Sequence, residues 1–229
     1  MRNRRAEQMV KEGSVVKATR ETQISHHCGI GVPDFPRIEK VVRNLRHLPP
    51  GKLLDVGYSE GGFADYLSKN GWECTGLDLN AHSHPRIKSI ECDLNERFPV
   101  ESEAFDVVTA GEVIEHMLNE GAFLDECHRV LKKGGTLVVT TPNLAYSLNR
   151  LRVLFGKTPL FVYAPYHYHF HTRRTLVRLM EEHRFRVEKV LASHVLYSRR
   201  RHFTGKVFEV LGDIFPTFGA HLIAFAVKV

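Results

Sequence analysis

Glu112, Glu115 and His116 stand at i, i+3 and i+4. If a short helix begins near Glu112, that spacing puts two carboxylates and an imidazole on one face. Together they make a half-site for a divalent cation. Without a metal, His116 can act as a general base. The competing structural reading is that the two glutamates favour the positive end of that helix while His116 packs beneath a loop. A second constellation lies upstream. Leu53-Leu54-Asp55-Val56-Gly57 is an apolar run ending in glycine; Tyr58-Ser59-Glu60-Gly61-Gly62-Phe63 follows, and a second run closes on Asp78 in Gly76-Leu77-Asp78-Leu79. This reads as strand, glycine turn, helix and a strand tipped by a carboxylate. Glycines let a ligand approach the backbone, and helix N-terminal N–H groups face it. A carboxylate at the next strand's tip can accept both hydroxyls of a ribose.

The spacing narrows the ligand. Gly57, Ser59 and Gly62 form a degenerate G-x-G-x-x-G, with Asp78 21 residues after Gly57, near the nicotinamide-dinucleotide spacing. Asp55, two residues before the first glycine, would repel a pyrophosphate but could take an ammonium group. Ser59 also replaces the glycine that admits a pyrophosphate. Both features suit an adenosine cofactor with an amino-acid tail, such as S-adenosylmethionine.

Positioning these residues requires alternating strands and helices. Pro36 to Leu48 has apolar residues at a helical period, and Pro49-Pro50-Gly51 stops it. A helix from Phe63 ends near Asn70-Gly71. Strands are expected at about 73–79, 88–92, 105–110 and 135–141. A helix over about 117–132 is expected to end at Lys132-Lys133-Gly134, cations then glycine. Asn143 is expected to cap a helix running to Phe155 and Gly156, and Thr172 one running to Glu182. Phe185–Leu196 reads as a strand, Phe203–Ile214 as a helix and His221–Val229 as a final strand. Such alternation predicts an α/β fold with helices on both faces of a parallel sheet.

Four blocks, LLDVGYSEGGF (53–63), GLDLN (76–80), FDVVTAGEVIEHM (105–117) and HRVLKKGGTLVVTTPN (128–143), give the chain a family likeness. It resembles the class I S-adenosylmethionine-dependent methyltransferases, in particular the group that contains ubiquinone-biosynthesis O-methyltransferases. The likeness covers roughly residues 50–143. It departs at Tyr58-Ser59, where the family more often has Cys-Gly. The resemblance implies a Rossmann-like, doubly wound, seven-stranded sheet, mostly parallel with the last strand antiparallel. By position, Asp55, Gly57, Ser59 and Gly61 would line the methionine end, with Glu112 nearby. Asp78, beside Leu79, would hold the ribose. In the family an acid-plus-apolar pair after the third strand meets the adenine; here that pair is Asp93 and Leu94, and a plain loop acid is the alternative for Asp93. Some members use the Glu-x-x-Glu-His pattern for metal, completed by a downstream histidine. Aligned on Thr172, that histidine is His167, with His169 second. Glu112, Glu115, His116 and His167 would then be the ligands, and Glu115, His116 and His167 the catalytic group. A metal would bind two acceptor oxygens and lower the pKa of the attacking hydroxyl.

The 229 residues, 43% of them hydrophobic, suffice for one sizeable core. One methyltransferase domain over 1–229 is expected: an N-terminal helical cap (1–50), the cofactor half (51–143) and the acceptor lid with the last strands (144–229). No apolar run reaches the ~18 residues of a membrane helix. The first 20 residues lack an apolar core for a signal peptide, and four cysteines without paired spacing suit reduced thiols in the cytoplasm. The three segments carry net charges of +5, −8 and +9. Basic flanks over an acidic cofactor half favour an anionic acceptor or an anionic membrane surface, unless they are simply solvated. Phe161, Tyr163, Tyr166, Tyr168 and Phe170 crowd residues 156–171, where an irregular aromatic segment can cover an apolar acceptor or stack a sugar. Ser25–Gly31 is a weaker candidate for the opposite wall. Arg199-Arg200-Arg201-His202 before the apolar face of Phe203–Ile214 raises peripheral membrane contact, though packing on the sheet is the preferred expectation. The expected function is methyl transfer to an oxygen of a small-molecule, glycan or lipid-linked acceptor. An RNA 2′-O-methyltransferase, a nicotinamide oxidoreductase and a non-catalytic cofactor-binding protein are the rivals. No RNA-binding motif is visible, so nucleic acid is the less favoured partner.

Overall fold

The computed structural model describes residues 35–229 except 60, 165 and 196–202. The expected wall at Ser25–Gly31, the basic run Arg199–His202 and most of the 1–50 cap lie outside the described residues. The elements are α1 (Phe35–Leu45), β1 (Lys52–Val56), α2 (Gly62–Ser68), β2 (Glu73–Asp78), β3 (Ile87–Glu91), β4 (Phe105–Gly111), a one-turn 3-10 helix (Ile114–His116), α3 (Glu120–Val130), β5 (Leu131–Pro142), α4 (Ser147–Leu154), α5 (Arg173–Glu182), β6 (Phe185–Ala192), α6 (Phe203–Ile214), a second 3-10 turn (Pro216–Phe218) and β7 (His221–Lys228).

Seven strands form one sheet in the order β3-β2-β1-β4-β5-β7-β6. The pairings from β3 through β5 are parallel. β7, the last strand, slots between β5 and β6 and runs antiparallel to both. The expected α/β, Rossmann-like, mostly parallel seven-stranded sheet is what the chain forms.

Both faces are covered because the strands are apolar on both sides, as buried parallel strands are. Leu53 joins Val41, Val42, Leu45, Ala64, Leu67 and Trp72 on the face of α1 and α2. Leu54 and Val56 join Phe123, Leu124, Leu176 and Met180 on the face of α3 and α5. The strand order reverses between β1 and β4, and in such sheets the crevice beyond the strand ends at that point takes the ligand.

Several element boundaries differ from expectation, each for a local reason. No helix begins at Glu112: its φ of 57° is left-handed, and only Ile114–His116 make a turn. α3 starts at Glu120, not 117, because the Asn119 side chain caps it by accepting from Ala122 N at 3.0 Å. It ends at Val130, and buried Leu131 is already extended in β5. Lys132, Lys133 and Gly134 therefore sit in an irregular stretch of β5, where the register jumps from Phe105↔Leu131 to Val107↔Thr136. Lys132 Nζ reaches Asp106 Oδ1 at 2.7 Å there.

Asn143 caps no helix. Its side chain is committed to the turn after β5, donating to Gly219 O at 2.7 Å and accepting from Ala145 N at 3.0 Å; α4 begins only at Ser147. Thr172 does cap α5, in a reciprocal arrangement with Thr175. β6 stops at Ala192, four residues short of the expected Leu196, with Ser193 and His194 turned toward His221 and Ala220. α6 rests against β6, where Gly212 lies close to Ala192 O, and leaves Val207, Val210 and Ile214 exposed. Packing on the sheet thus accounts for only one side of this helix.

Candidate active site

A cavity of about 230 Å³ opens at the carboxyl ends of β1 and β4. Asp55, Gly57, Tyr58 and Ser59 form one wall, Thr109 to Gly111 another, and Arg37 of α1 overhangs them with Thr140 of β5. A larger, more open groove of about 750 Å³ lies at the other end of the sheet, beside Lys52, Glu73 and Phe105. In this architecture ligands bind at the carboxyl ends, so the smaller cavity is the candidate site.

The loop after β1 is shaped by left-handed residues: Gly57 (φ 73°), Ser59 (φ 50°) and Gly61 (φ 77°). Ser59 thus takes a conformation that favours glycine, the residue more usual there in the resembled family. Tyr58 turns inward. Its ring lies on Gly76, where a Cβ would come within 2.5 Å of Tyr58 Cγ, and its hydroxyl donates to His82 O at 2.6 Å. A Cβ at Gly57 would lie 2.4 Å from Val113 Cγ2. Gly57→Ala is therefore expected to lower stability by about 1–3 kcal/mol, by strain and by displacement of Val113. Urea denaturation with and without cofactor product would measure it; an unchanged midpoint would show that the turn tolerates a side chain.

Asp55 is buried and accepts from Thr109 Oγ1 at 2.7 Å. Burial pushes its pKa from 3.8 to about 7; the Thr109 hydrogen bond opposes the shift, nearby Asp78 adds to it, and Arg37 counters it. A buried carboxylate lining a cavity at this cost suits a cationic ligand group. Asp78, at the tip of β2, accepts from Ser59 N at 2.9 Å through Oδ2 and from Asn80 N at 3.0 Å through Oδ1. It pins the glycine loop as well as presenting a carboxylate at the strand end.

The cavity brings Asp55, Gly57 and Ser59 together. Gly61, Asp78, Leu79, Asp93, Leu94 and Glu112 stand outside its lining. Asp93 Oδ1 accepts from Asn95 N at 3.0 Å, a loop turn, and Leu94 packs partly on the core. Asp78→Ala is expected to weaken cofactor binding about 10–100-fold, through loss of a charged acceptor and of the loop's anchor. Calorimetric titration would test it, and unchanged affinity would remove Asp78 from the site.

Arg37 escaped the sequence reading. It donates from Nη1 to Thr140 Oγ1 at 2.9 Å, and Nε lies 3.8 Å from Glu112 Oε1. In the cavity it offers a cation opposite the Asp55 carboxylate, a pairing suited to a zwitterionic amino-acid tail. An arginine in an amphipathic helix carries no mark of this in sequence.

Past β4 the chain carries the second group. Glu115, His116 and His167 bring ligand atoms within 4.8 Å of one another, the one such group among the described residues. The His116 and His167 rings meet edge to face at 4.6 Å. His116 Nδ1 lies 3.0 Å from Tyr166 O. A carbonyl only accepts, so Nδ1 donates to it. Glu115 is buried; Oε2 accepts from Thr141 Oγ1 at 3.0 Å, while Oε1 has no hydrogen-bond partner among the described residues. Burial, reinforced by Glu112, raises its pKa well above the usual carboxylate range. The loop holding His167 is strapped down through Tyr168 N, which donates to Glu115 O at 2.8 Å.

Glu112 is not in this group. Its left-handed backbone turns the side chain to Thr140 Oγ1, 2.8 Å away, and toward His221. His169 and His171 are engaged elsewhere: Glu120 takes their ring nitrogens at 3.1 Å and 2.7 Å.

A family profile described as "Methyltransferase domain" matches residues 35–190. The chain belongs to the class I S-adenosylmethionine-dependent methyltransferases. It is 34% identical over 166 residues to a Mycolicibacterium smegmatis protein named "Probable S-adenosylmethionine-dependent methyltransferase", covering 69% of this chain and 61% of that one. It is 32% identical over 120 residues to the mitochondrial ubiquinone biosynthesis O-methyltransferase of Rattus norvegicus, covering 46% of this chain and 35% of that one. The chain thus spans about a third to three-fifths of these relatives. An S-adenosylmethionine-dependent methyltransferase structure from Aquifex aeolicus shares the fold, with a TM-score of 0.62 and 15% identity over 91% of this chain and 98% of that one. No helix among the described residues is long and apolar enough to cross a membrane.

Proposed function

We propose that this methyltransferase-family chain transfers the methyl group of S-adenosylmethionine to an oxygen of a small-molecule, glycan or lipid-linked acceptor. The observation that carries the reading is the meeting of Glu115, His116 and His167 just beyond β4, the strand whose end also walls the Asp55 cavity. S-adenosylmethionine brings an activated methyl group, so the protein's task is placement and removal of one proton. Asp55 takes the ammonium of the amino-acid tail, Arg37 its carboxylate and Asp78 the ribose hydroxyls. An acceptor hydroxyl beside His116 gives its proton to Nε2 as its oxygen bonds to the methyl carbon and the carbon–sulfur bond breaks. The aromatic residues of 156–171 cover the acceptor.

A second reading concerns a divalent metal. Two imidazoles and a buried carboxylate, one of whose oxygens has no hydrogen-bond partner among the described residues, fit such an ion. Glu115, His116 and His167 would hold it, and it would supply binding of two acceptor oxygens and a lowered hydroxyl pKa.

The test is label transfer from methyl-labelled donor to a pool of catechols, vicinal diols and glycans, with and without chelator. Labelled product would support the proposal; cofactor binding without label in any acceptor would favour the non-catalytic alternative. Turnover lost to chelator and restored by magnesium, manganese or zinc would select the metal reading. Turnover indifferent to chelator would leave His116 as the base.

A further inference from the structure

Helix α4 has inverted polarity. Its one fully buried residue is Asn149, which donates to Leu144 O at 3.1 Å and accepts from Leu160 N at 2.7 Å. Apart from half-buried Leu148, its apolar residues face outward: Leu151 is 49% exposed, Leu154 76% and the capping Phe155 69%. These three stand at i, i+3 and i+4, on one face. Tyr163, 80% exposed, extends the patch into the 156–171 segment. On the other side Arg150 lies over the Phe218 ring at 4.5 Å, joining the patch to exposed Phe215 and Phe218 at the end of α6. A helix that buries its amide and shows its leucines has its apolar partner elsewhere.

Charge identifies that partner. Between Glu126 and Glu181 the chain contains no Asp or Glu, while Arg150, Arg152 and Lys157 stand within and beside α4. Apolar side chains set among cations, in a stretch of sequence without acids, match the interface of an anionic bilayer: the rings and leucines enter the acyl boundary while the cations meet lipid phosphates.

We propose that the outward face of α4, with Tyr163 and Phe218, docks on an anionic membrane surface. The patch runs directly into the segment that carries His167. Docking therefore places the acceptor side at the lipid headgroups, where a lipid-linked acceptor resides. That consequence rests on the functional reading above; docking itself does not, because it is measured without turnover.

The test is co-sedimentation with vesicles of phosphatidylcholine alone or mixed with phosphatidylglycerol. Wild-type protein is expected to bind the anionic vesicles at least about tenfold more tightly than the neutral ones, and less tightly as salt rises. The pair Leu154→Glu and Phe155→Glu is expected to lose about tenfold or more while keeping its thermal midpoint and its affinity for S-adenosylhomocysteine. Lys157→Gln, a milder surface change, should lower binding by a smaller factor. Absence of binding to anionic vesicles, or equal binding by the double variant, would overturn the proposal. So would a dimer in sedimentation velocity that the double variant dissolves, since the face would then belong to a protein interface.

Discussion

Asp55→Asn is expected to weaken S-adenosylhomocysteine binding about 10–100-fold near neutral pH, as loss of a buried charge-assisted hydrogen bond of ~1.5–3 kcal/mol would do. The pH dependence makes this specific. Asp55 has its pKa raised to about 7 in the empty protein, chiefly by burial. Below about pH 7 the ligand's ammonium meets a neutral acid. Affinity in the wild type should therefore rise as the pH climbs through about 7, and that rise should vanish in Asp55→Asn.

Stability supplies an opposite sign in the same variant. A carboxyl whose folded pKa is raised contributes stability fully present below the unfolded value of 3.8. That contribution is lost as pH rises through about 7. The empty wild type should accordingly be less stable at pH 8 than at pH 5, by about 2.5 kcal/mol from this group. Asparagine still accepts from Thr109 but cannot ionise, so the empty variant should melt higher than wild type at pH 8. Thermal denaturation across pH checks this. Weaker binding together with a lower melting point at pH 8 would mean that Asp55 is a structural group.

The second large effect falls on turnover. His116→Ala and His167→Ala are each expected to lower methyl transfer by about 10²–10⁴-fold, the range for losing a positioned acid–base group. S-adenosylhomocysteine affinity should stay within about twofold, because neither residue lines the Asp55 cavity. His116 has the larger role in the metal-free case, since its ring is oriented by the Nδ1–H held on Tyr166 O. Glu115→Ala should likewise spare cofactor binding. Label-transfer rates against the acceptor found in the screen, alongside denaturation curves, separate the roles. If Glu115→Ala and His116→Ala instead unfold the domain, the group is structural.

The sheet was legible in sequence because its strands are short apolar runs closed by glycines or acids, a pattern that local physics enforces. Leu53–Gly57 and Gly76–Asp78 could hardly be anything else, and Thr172 announced a helix start. What stayed hidden was decided by tertiary contacts or by rare backbone conformations. Nothing in Gly111-Glu112-Val113 marks Glu112 as left-handed, so the i, i+3, i+4 face drawn through it does not exist. Lys132-Lys133-Gly134 reads equally as a helix end or as an irregular strand, and packing of Leu131 chose the strand. His167 was separated from His169 only when Glu120, some fifty residues away, took the latter. Arg37 was visible as part of a helix and invisible as a cavity residue, because its role depends on Thr140 and Asp55 meeting it from two other strands.

The most direct test of the account is calorimetric titration of the purified, metal-stripped protein with S-adenosylhomocysteine, with a nicotinamide dinucleotide as the comparison ligand. The account predicts saturable one-site binding of the nucleoside, lost or strongly weakened in Asp55→Asn, and none of the dinucleotide. Binding of the dinucleotide instead, or no binding of S-adenosylhomocysteine at any pH between about 6 and 9, would contradict it.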